Sequence, residues 1–305
     1  MKLDRIPHVA ALVQLLIGAR AADAADPPPA PEGIHYTVSV SGQHAIAADL
    51  EKGGQASATR GSVSVSASRR FVPAFSASLS AGYELTEWKF EAPVAFASTA
   101  PWKTIQRPSA GLGLQLALSP RFVLQMNPFA EWSSARGVKA SDASTYGATL
   151  GAAGIFGPRL TLGGGAKVQR QFFSTKVTAF AIVNAQLSPT LRIANASASG
   201  PLGGGGLELR LQPNKTWEFA IGGVYSSTRF RLAPQGQGAG DVGETGGIPI
   251  LARAAYTTTL GLRADLSAGV LVNGRVERRD PDGRTLAKDD LASAPMVALT
   301  LSARR

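Results

Sequence analysis

Three histidines, His8, His35 and His44, are the only imidazoles in the chain, and there is no cysteine. Ser41, Ser57, Asp49 and Glu51 all lie near His44 in the sequence. A serine nucleophile, an imidazole base and an orienting carboxylate within hydrogen-bond reach would make an acyl hydrolase. The plainer reading of His44 is a surface histidine beside a loop. "GGGAK" at Gly163–Lys167 has the look of a phosphate loop, but such a loop ends in Lys-Ser or Lys-Thr ahead of a helix, and here Val168 follows the lysine. Glycines this close together in a strand more often permit a bend or a close approach of backbones. Three histidines make a histidine-rich metal site implausible. "RRDPDGRTLAKDD" lacks the spaced carboxylates of a dedicated calcium loop. The sequence therefore offers no catalytic residue, no metal site and no cofactor.

The remaining charged residues take their meaning from the elements that carry them. In "LGLQLALSPRFVLQMNPFAEW", Leu112, Leu114, Leu116 and Leu118 alternate with Gly113, Gln115, Ala117 and Ser119. After a short turn, Phe122, Leu124, Met126, Pro128, Ala130 and Trp132 alternate with more polar partners. Period two means strand, and two such runs joined by a tight turn mean an antiparallel hairpin. The turn "SPRF" recurs as "GPRL" at Gly157–Leu160 and "SPTL" at Ser188–Leu191, with a looser relative in "QPNKTW". Proline suits the second position of such a turn because its φ is already set and it needs no donor there.

Between the short turns lie longer polar, glycine-rich connections, among them "EAPVAFASTAPW", "APQGQGAGDVGETGG" and "RVERRDPDGRTLAKDD". Short turns at one rim and long loops at the other are the pattern of outer-membrane barrels. The spacing predicts fourteen strands, near 34–48, 56–68, 74–90, 103–118, 122–135, 144–156, 160–173, 176–187, 191–199, 203–211, 217–231, 248–257, 260–274 and 292–303. The alternative is twelve, if the short pair near residue 200 is one element too many. The expected fold class is all-β: a single antiparallel transmembrane β-barrel with short periplasmic turns and longer extracellular loops.

In that register the apolar phase faces lipid and the polar phase faces inward. Glu84, Glu131, Lys167, Glu208, Arg210, Glu218, Arg253, Arg263 and Asp265 fall on the inner phase and are candidate pore-lining residues. A lysine or arginine on the lipid face would cost about 2–4 kcal/mol at the midplane, which is why charge belongs in the lumen. Their signs are mixed, so mutually neutralising pairs that brace the wall are as good a reading as solute contact. Phe122, Phe156, Trp217 and Tyr256 stand beside turns, where an interfacial aromatic girdle belongs. No loop has the length expected of a folded plug.

Composition agrees. Charged residues make up 17% of the 305 residues, against about 25% in an ordinary soluble domain. The N-terminus has a basic start at Lys2 and Arg5, an apolar stretch over Val9–Gly18 and small-residue cleavage motifs ending at Ala21 or Ala24. Residues 1–24 thus read as a secretory signal peptide, 25–33 as a proline-rich linker and 34–305 as the barrel. The net charge is +10, but its lysines and arginines are dispersed and no nucleic-acid-binding pattern appears. Outer-membrane lipids, and lipopolysaccharide against loop cations such as Arg278, Arg279 and Arg284, are the expected partners, together with the outer-membrane assembly machinery.

The N-terminal signal, the repeated "SPRF", "GPRL" and "SPTL" turns and the late hairpin "IPILARAAYTTTLGLRADLSAGVLV" resemble the uncharacterised, porin-like outer-membrane β-barrel families. The chain departs from that pattern at its end, "MVALTLSARR", which has no terminal aromatic residue. The resemblance implies residence in the bacterial outer membrane. The function expected is passive passage of small polar solutes, with a closed-lumen structural or ligand-binding barrel as the alternative and a lipid hydrolase third. The oligomeric state is left open.

Overall fold

The computed structural model describes residues 33–172, 174–196, 201, 205–233 and 240–305. The expected signal peptide and nearly all of the proline-rich linker lie outside the described residues.

Fourteen strands follow one another along the chain. They are β1 (Ile34–Asp49), β2 (Gln55–Val72), β3 (Phe75–Glu91), β4 (Thr104–Ser119) and β5 (Phe122–Trp132, continued by Ser134–Ala135). Then come β6 (Ser144–Ile155), β7 (Leu160–Gln171), β8 (Ser174–Gln186), β9 (Leu191–Asn195) and β10 (Leu207–Leu211). The last four are β11 (Trp217–Gly223, continued by Ser226–Arg231), β12 (Val242–Thr257), β13 (Leu262–Arg279) and β14 (Thr285–Leu291, continued by Ala294–Arg304). Each pairs antiparallel with the next, and β14 returns to β1 with Thr37 opposite Arg304 and Ala45 opposite Met296. That pairing closes the sheet into a barrel.

The short turns sit where the proline motifs place them. Ser119 Oγ accepts the Arg121 amide at 3.2 Å, and Asn214 Oδ1 accepts the amides of Thr216 and Trp217 at 2.9 and 2.8 Å. Gly157 opens its turn at φ 89°, a left-handed conformation that glycine adopts without strain.

On the outer face, apolar side chains stand exposed at every second position: Val38 and Val40 on β1, Trp217, Phe219 and Ile221 on β11, and Val297, Leu299 and Leu301 on β14. An apolar surface of this extent marks a membrane-facing wall. Among the described residues no helix is long and apolar enough to cross a membrane; strands do the crossing.

Three strands are longer than the alternation suggests. β12 begins at Val242 rather than near 248, β13 runs to Arg279 rather than 274, and β14 begins at Thr285 rather than near 292. These stretches are rich in glycine and charge and read as loop, yet they form sheet. Each departs from regularity at a similar level: pairing shifts between Gly246 and Ile248, Asn273 takes φ 51°, and β11 and β14 are interrupted after Gly223 and Leu291. Beyond that level β11 leaves β10 and pairs in parallel with the end of β5, Arg231 opposite Ser134. The Arg231 amide donates to the Ser133 carbonyl at 2.9 Å.

That bridge closes a second, smaller ring at the extracellular end. It runs from β11 through β12, β13 and β14 to β1, then through β2, β3 and β4 to β5, and leaves β6–β10 outside. Its interior holds an apolar core. Leu50, Ala56, Phe96, Trp102, Ile105, Phe230, Val276 and Leu291 form one buried apolar cluster, with Trp88 and Phe90 packed against it. Trp102 meets Phe230 edge-on at 5.0 Å and Phe90 at 5.5 Å. Phe96 and Trp102 come from the β3–β4 connection, which turns inward through a short 3-10 helix, Val94–Phe96. No loop has the length of a folded plug, yet this one folds into the barrel. "EAPVAFASTAPW" is short, but Phe96 and Trp102 gain enough apolar burial inside the ring to draw it in.

Candidate functional site

Below the ring, the inner wall carries the charge. On β9–β13 Arg253 lies at the centre of a network of ion pairs. It donates to Asp265 Oδ1 at 2.7 Å, to Glu208 Oε2 at 2.9 Å and to Glu218 Oε1 at 2.9 Å. Glu218 is also held by Arg192 at 3.0 Å and by Arg263 at 2.9 Å, while Arg263 donates to Asp265 at 2.8 Å. Arg210 donates to Glu208 at 2.8 Å and to the Asn195 carbonyl. Alternation builds this arrangement: Glu208 and Arg210, or Arg263 and Asp265, two apart on one strand, present both signs to the same face.

A second group occupies β2–β4, where Arg107 donates to Glu84 Oε2 at 2.7 Å and Arg60 lies 3.5 Å from Glu84 Oε1. Nearby, the Lys167 ammonium stands 4.4 Å above the Phe129 ring. Glu131 pairs in register with Ser109 of β4 and Thr145 of β6.

Six of the nine charged residues singled out from sequence thus meet in the β9–β13 network, Glu84 belongs to the second, and Glu131 and Lys167 lie beside the second, in the field of Arg107. Sequence reading missed Arg60, Arg107 and Arg192. All three lie on the inner phase of their strands, and that phase was the available signal. It also missed a network in the ring: Glu244 receives Arg229 at 2.8 Å and Arg279 at 3.2 Å, and Glu277 receives Arg279 at 2.9 Å. Arg279, expected as a loop cation, is corrected to a strand residue engaged with two carboxylates, and Arg278 pairs with Asp241 at 2.8 Å.

The four aromatics expected at the interface are all exposed on the outer face beside turns. Trp217 meets Tyr256 edge-on at 5.0 Å and stacks on Phe219 at 6.0 Å. His44 is not assembled into a triad. Its Nδ1 lies 2.9 Å from Thr59 Oγ1, Ser41 is engaged with Ser62 at 2.6 Å, and Asp49 accepts Gln55 at 2.9 Å. The glycines of "GGGAK" serve packing: a Cβ at Gly165 would run into the Leu150 carbonyl and the Phe180 ring.

Exposure divides the ion pairs unevenly. The Arg192 and Arg263 side chains are each 30% exposed, while Glu218 between them is 7% exposed and Asp265 10%. On β2–β4, Arg60 is 33% and Arg107 26% exposed, against 16% for Glu84. The carboxylates are sunk against the wall, and the guanidinium groups cover them. What the lumen presents to water is mainly the arginine layer.

The fold and its two surfaces define the class: an outer-membrane β-barrel, closed by fourteen strands, apolar outside and charged within. No protein-family model and no curated protein matches the chain. Several solved structures align with it. An outer membrane channel from Pseudomonas putida F1 aligns at TM-score 0.49 and 11% identity, over 92% of this chain and 100% of that one. The deltaS2 mutant of the monoaromatic hydrocarbon channel TodX aligns at 0.46 and 10%, over 90% and 91%. LpxR from Salmonella typhimurium aligns at 0.35 and 9%, over 87% and 99%. At such identities the likeness is one of fold and assigns no substrate.

Proposed function

We propose that this barrel is an outer-membrane channel for small polar solutes, narrowed at its extracellular end by the nine-stranded ring. One observation carries the reading: the partial exposure of Arg192 and Arg263 on the inner face of a closed wall. A lumen filled by side chains would bury them, as small barrels of about eight strands do. Fourteen strands give a wider bore, and the apolar core of the ring takes up part of it at one end. Passage is then left to the polar side bounded by β6–β8, where Lys176 lies in the field of Arg229, Glu244 and Arg275. The pore-lining residues are those of the β9–β13 and β2–β4 networks, with Glu131 and Lys167. The outer apolar belt takes outer-membrane lipid, with the four aromatics at its borders. Lipopolysaccharide meets the extracellular loops, and the outer-membrane assembly machinery inserts the chain.

Liposome swelling tests this. Vesicles holding the folded protein are shifted into isosmotic solutions of neutral polar solutes of increasing size. Swelling that is fast for the smallest solutes and falls steeply with size is expected. No swelling with the smallest solute, from protein that keeps heat-modifiable gel mobility, would favour a closed barrel with a structural or binding role.

A further inference from the structure

We propose that the lumen selects anions, and that its substrates are small solutes bearing a carboxylate or a phosphate. This rests on the channel reading above and adds the substrate class to it. On β9–β13, four arginines (Arg192, Arg210, Arg253 and Arg263) face three carboxylates (Glu208, Glu218 and Asp265). Around β2–β4, the three cations Arg60, Arg107 and Lys167 face two carboxylates, Glu84 and Glu131. Each group leaves one positive charge uncompensated, and Lys176 adds another on β8. Within low-dielectric walls an uncompensated charge acts over a longer range than in open solvent, because field lines are focused along the lumen.

Burial sharpens the asymmetry. The negative ends of the pairs sit beneath, and arginines that share a carboxylate have donors to spare. Glu218 alone is shared by Arg192, Arg253 and Arg263. The Arg192 and Arg263 side chains are each 30% exposed, so part of each cation faces the lumen. A guanidinium presents five donors in a planar fork whose geometry matches carboxylate and phosphate oxygens. Arg192 and Arg263, converging on Glu218 from β9 and β13, therefore form a positively charged step that a small oxyanion can contact in transit. A cation in the same place would meet the arginine layer first and reach the carboxylates only by displacing it.

The test is the reversal potential of single channels of the refolded protein in planar bilayers under a tenfold KCl gradient. It is followed by addition of inorganic phosphate to one side. Wild-type channels are expected to reverse on the chloride side, with chloride permeability exceeding potassium permeability severalfold, and phosphate should reduce the chloride current saturably. Arg192→Gln leaves Glu218 with two arginine partners, so the fold is retained while the reversal potential moves toward zero. Arg192→Gln combined with Arg263→Gln should carry it further toward zero, since β9–β13 then holds one uncompensated negative charge against the positive charges left on β2–β4 and at Lys176. Currents that reverse on the potassium side in the wild type, or a reversal potential that neither variant moves, overturn the anion assignment and leave the channel reading standing. Absence of current from heat-modifiable protein overturns both.

Discussion

Arg231 and Ser134 are backbone partners in a parallel pair, although five strands, β6–β10, separate β11 from β5 around the wall. The sheet therefore closes twice, once over fourteen strands and once over nine. The second closure is held by few backbone bonds and by the apolar core beneath it. Because the chain contains no cysteine, the bridge can be tested covalently. Ser134→Cys with Arg231→Cys should oxidise readily, since paired residues of neighbouring strands lie within the Cα separation of about 4.4–6.8 Å that a disulfide accepts. The cross-linked protein should migrate faster than the reduced form on a denaturing gel. Its conductance should be unchanged, because the ring is already closed. Failure to cross-link in the folded protein would place β11 elsewhere.

Trp102 is the centre of the ring's apolar core. Trp102→Ala should cost about 3–5 kcal/mol, the range for removing a large buried aromatic side chain. Denaturant unfolding in detergent would record the loss. Because Trp102 braces the β3–β4 connection against Phe230, the same variant should raise single-channel conductance and its noise as the mouth loosens. A stability loss with conductance unchanged would mean that the ring does not narrow the passage.

Substitutions at Arg253 and Arg192 should differ widely in their cost. Arg253 bonds Glu208, Glu218 and Asp265, and its side chain is 4% exposed. Arg253→Met strips these carboxylates of a shared partner and should destabilise the barrel by about 3–5 kcal/mol, the cost of leaving buried charge uncompensated. Arg192→Gln, at a partly exposed side chain whose carboxylate keeps other partners, should cost less than about 1 kcal/mol. Urea titrations of the two variants side by side would show whether the network has this hierarchy.

Gly165 has a structural duty that a phosphate-loop reading would miss. Its missing Cβ leaves room for the Phe180 ring and for the backbone of β6. Gly165→Val should therefore destabilise the β6–β8 wall, and thermal unfolding should register it. Lys167→Gln, two residues on, should leave stability almost unaltered, since Lys167 makes a ring contact and, among the described residues, no close ion pair. Equal losses at both positions would mean that Lys167 bears on the wall more than its one ring contact accounts for.

The wall was legible from alternation alone. The fourteen strands, the proline turns and the inner phase of Glu208, Arg210, Glu218, Arg253, Arg263 and Asp265 all follow from period two. The ring was not, because its strands lack the apolar outer phase that a lipid-facing strand needs. Val242–Gly247 is half glycine with a buried charge at Glu244, and Thr285–Leu291 carries Lys288 and Asp290 at half-exposed positions, so a reader of hydropathy sees loop. One clue was available: Trp88 and Phe90 stand two and four residues beyond Thr86 on the inner phase of β3. Two aromatics inside a polar lumen require an apolar partner there, and Phe96, Trp102 and Phe230 supply it. Which arginine pairs with which carboxylate depends on the stagger between strands, which no single strand encodes.

Single-channel conductance of the refolded protein in planar bilayers tests the central claim most directly. Steady unitary currents in symmetric KCl, raised by Trp102→Ala and unaffected by the Ser134–Arg231 cross-link, are the predicted result. Folded, heat-modifiable protein that inserts into the bilayer and carries no current, in the wild type and in Trp102→Ala alike, would contradict it.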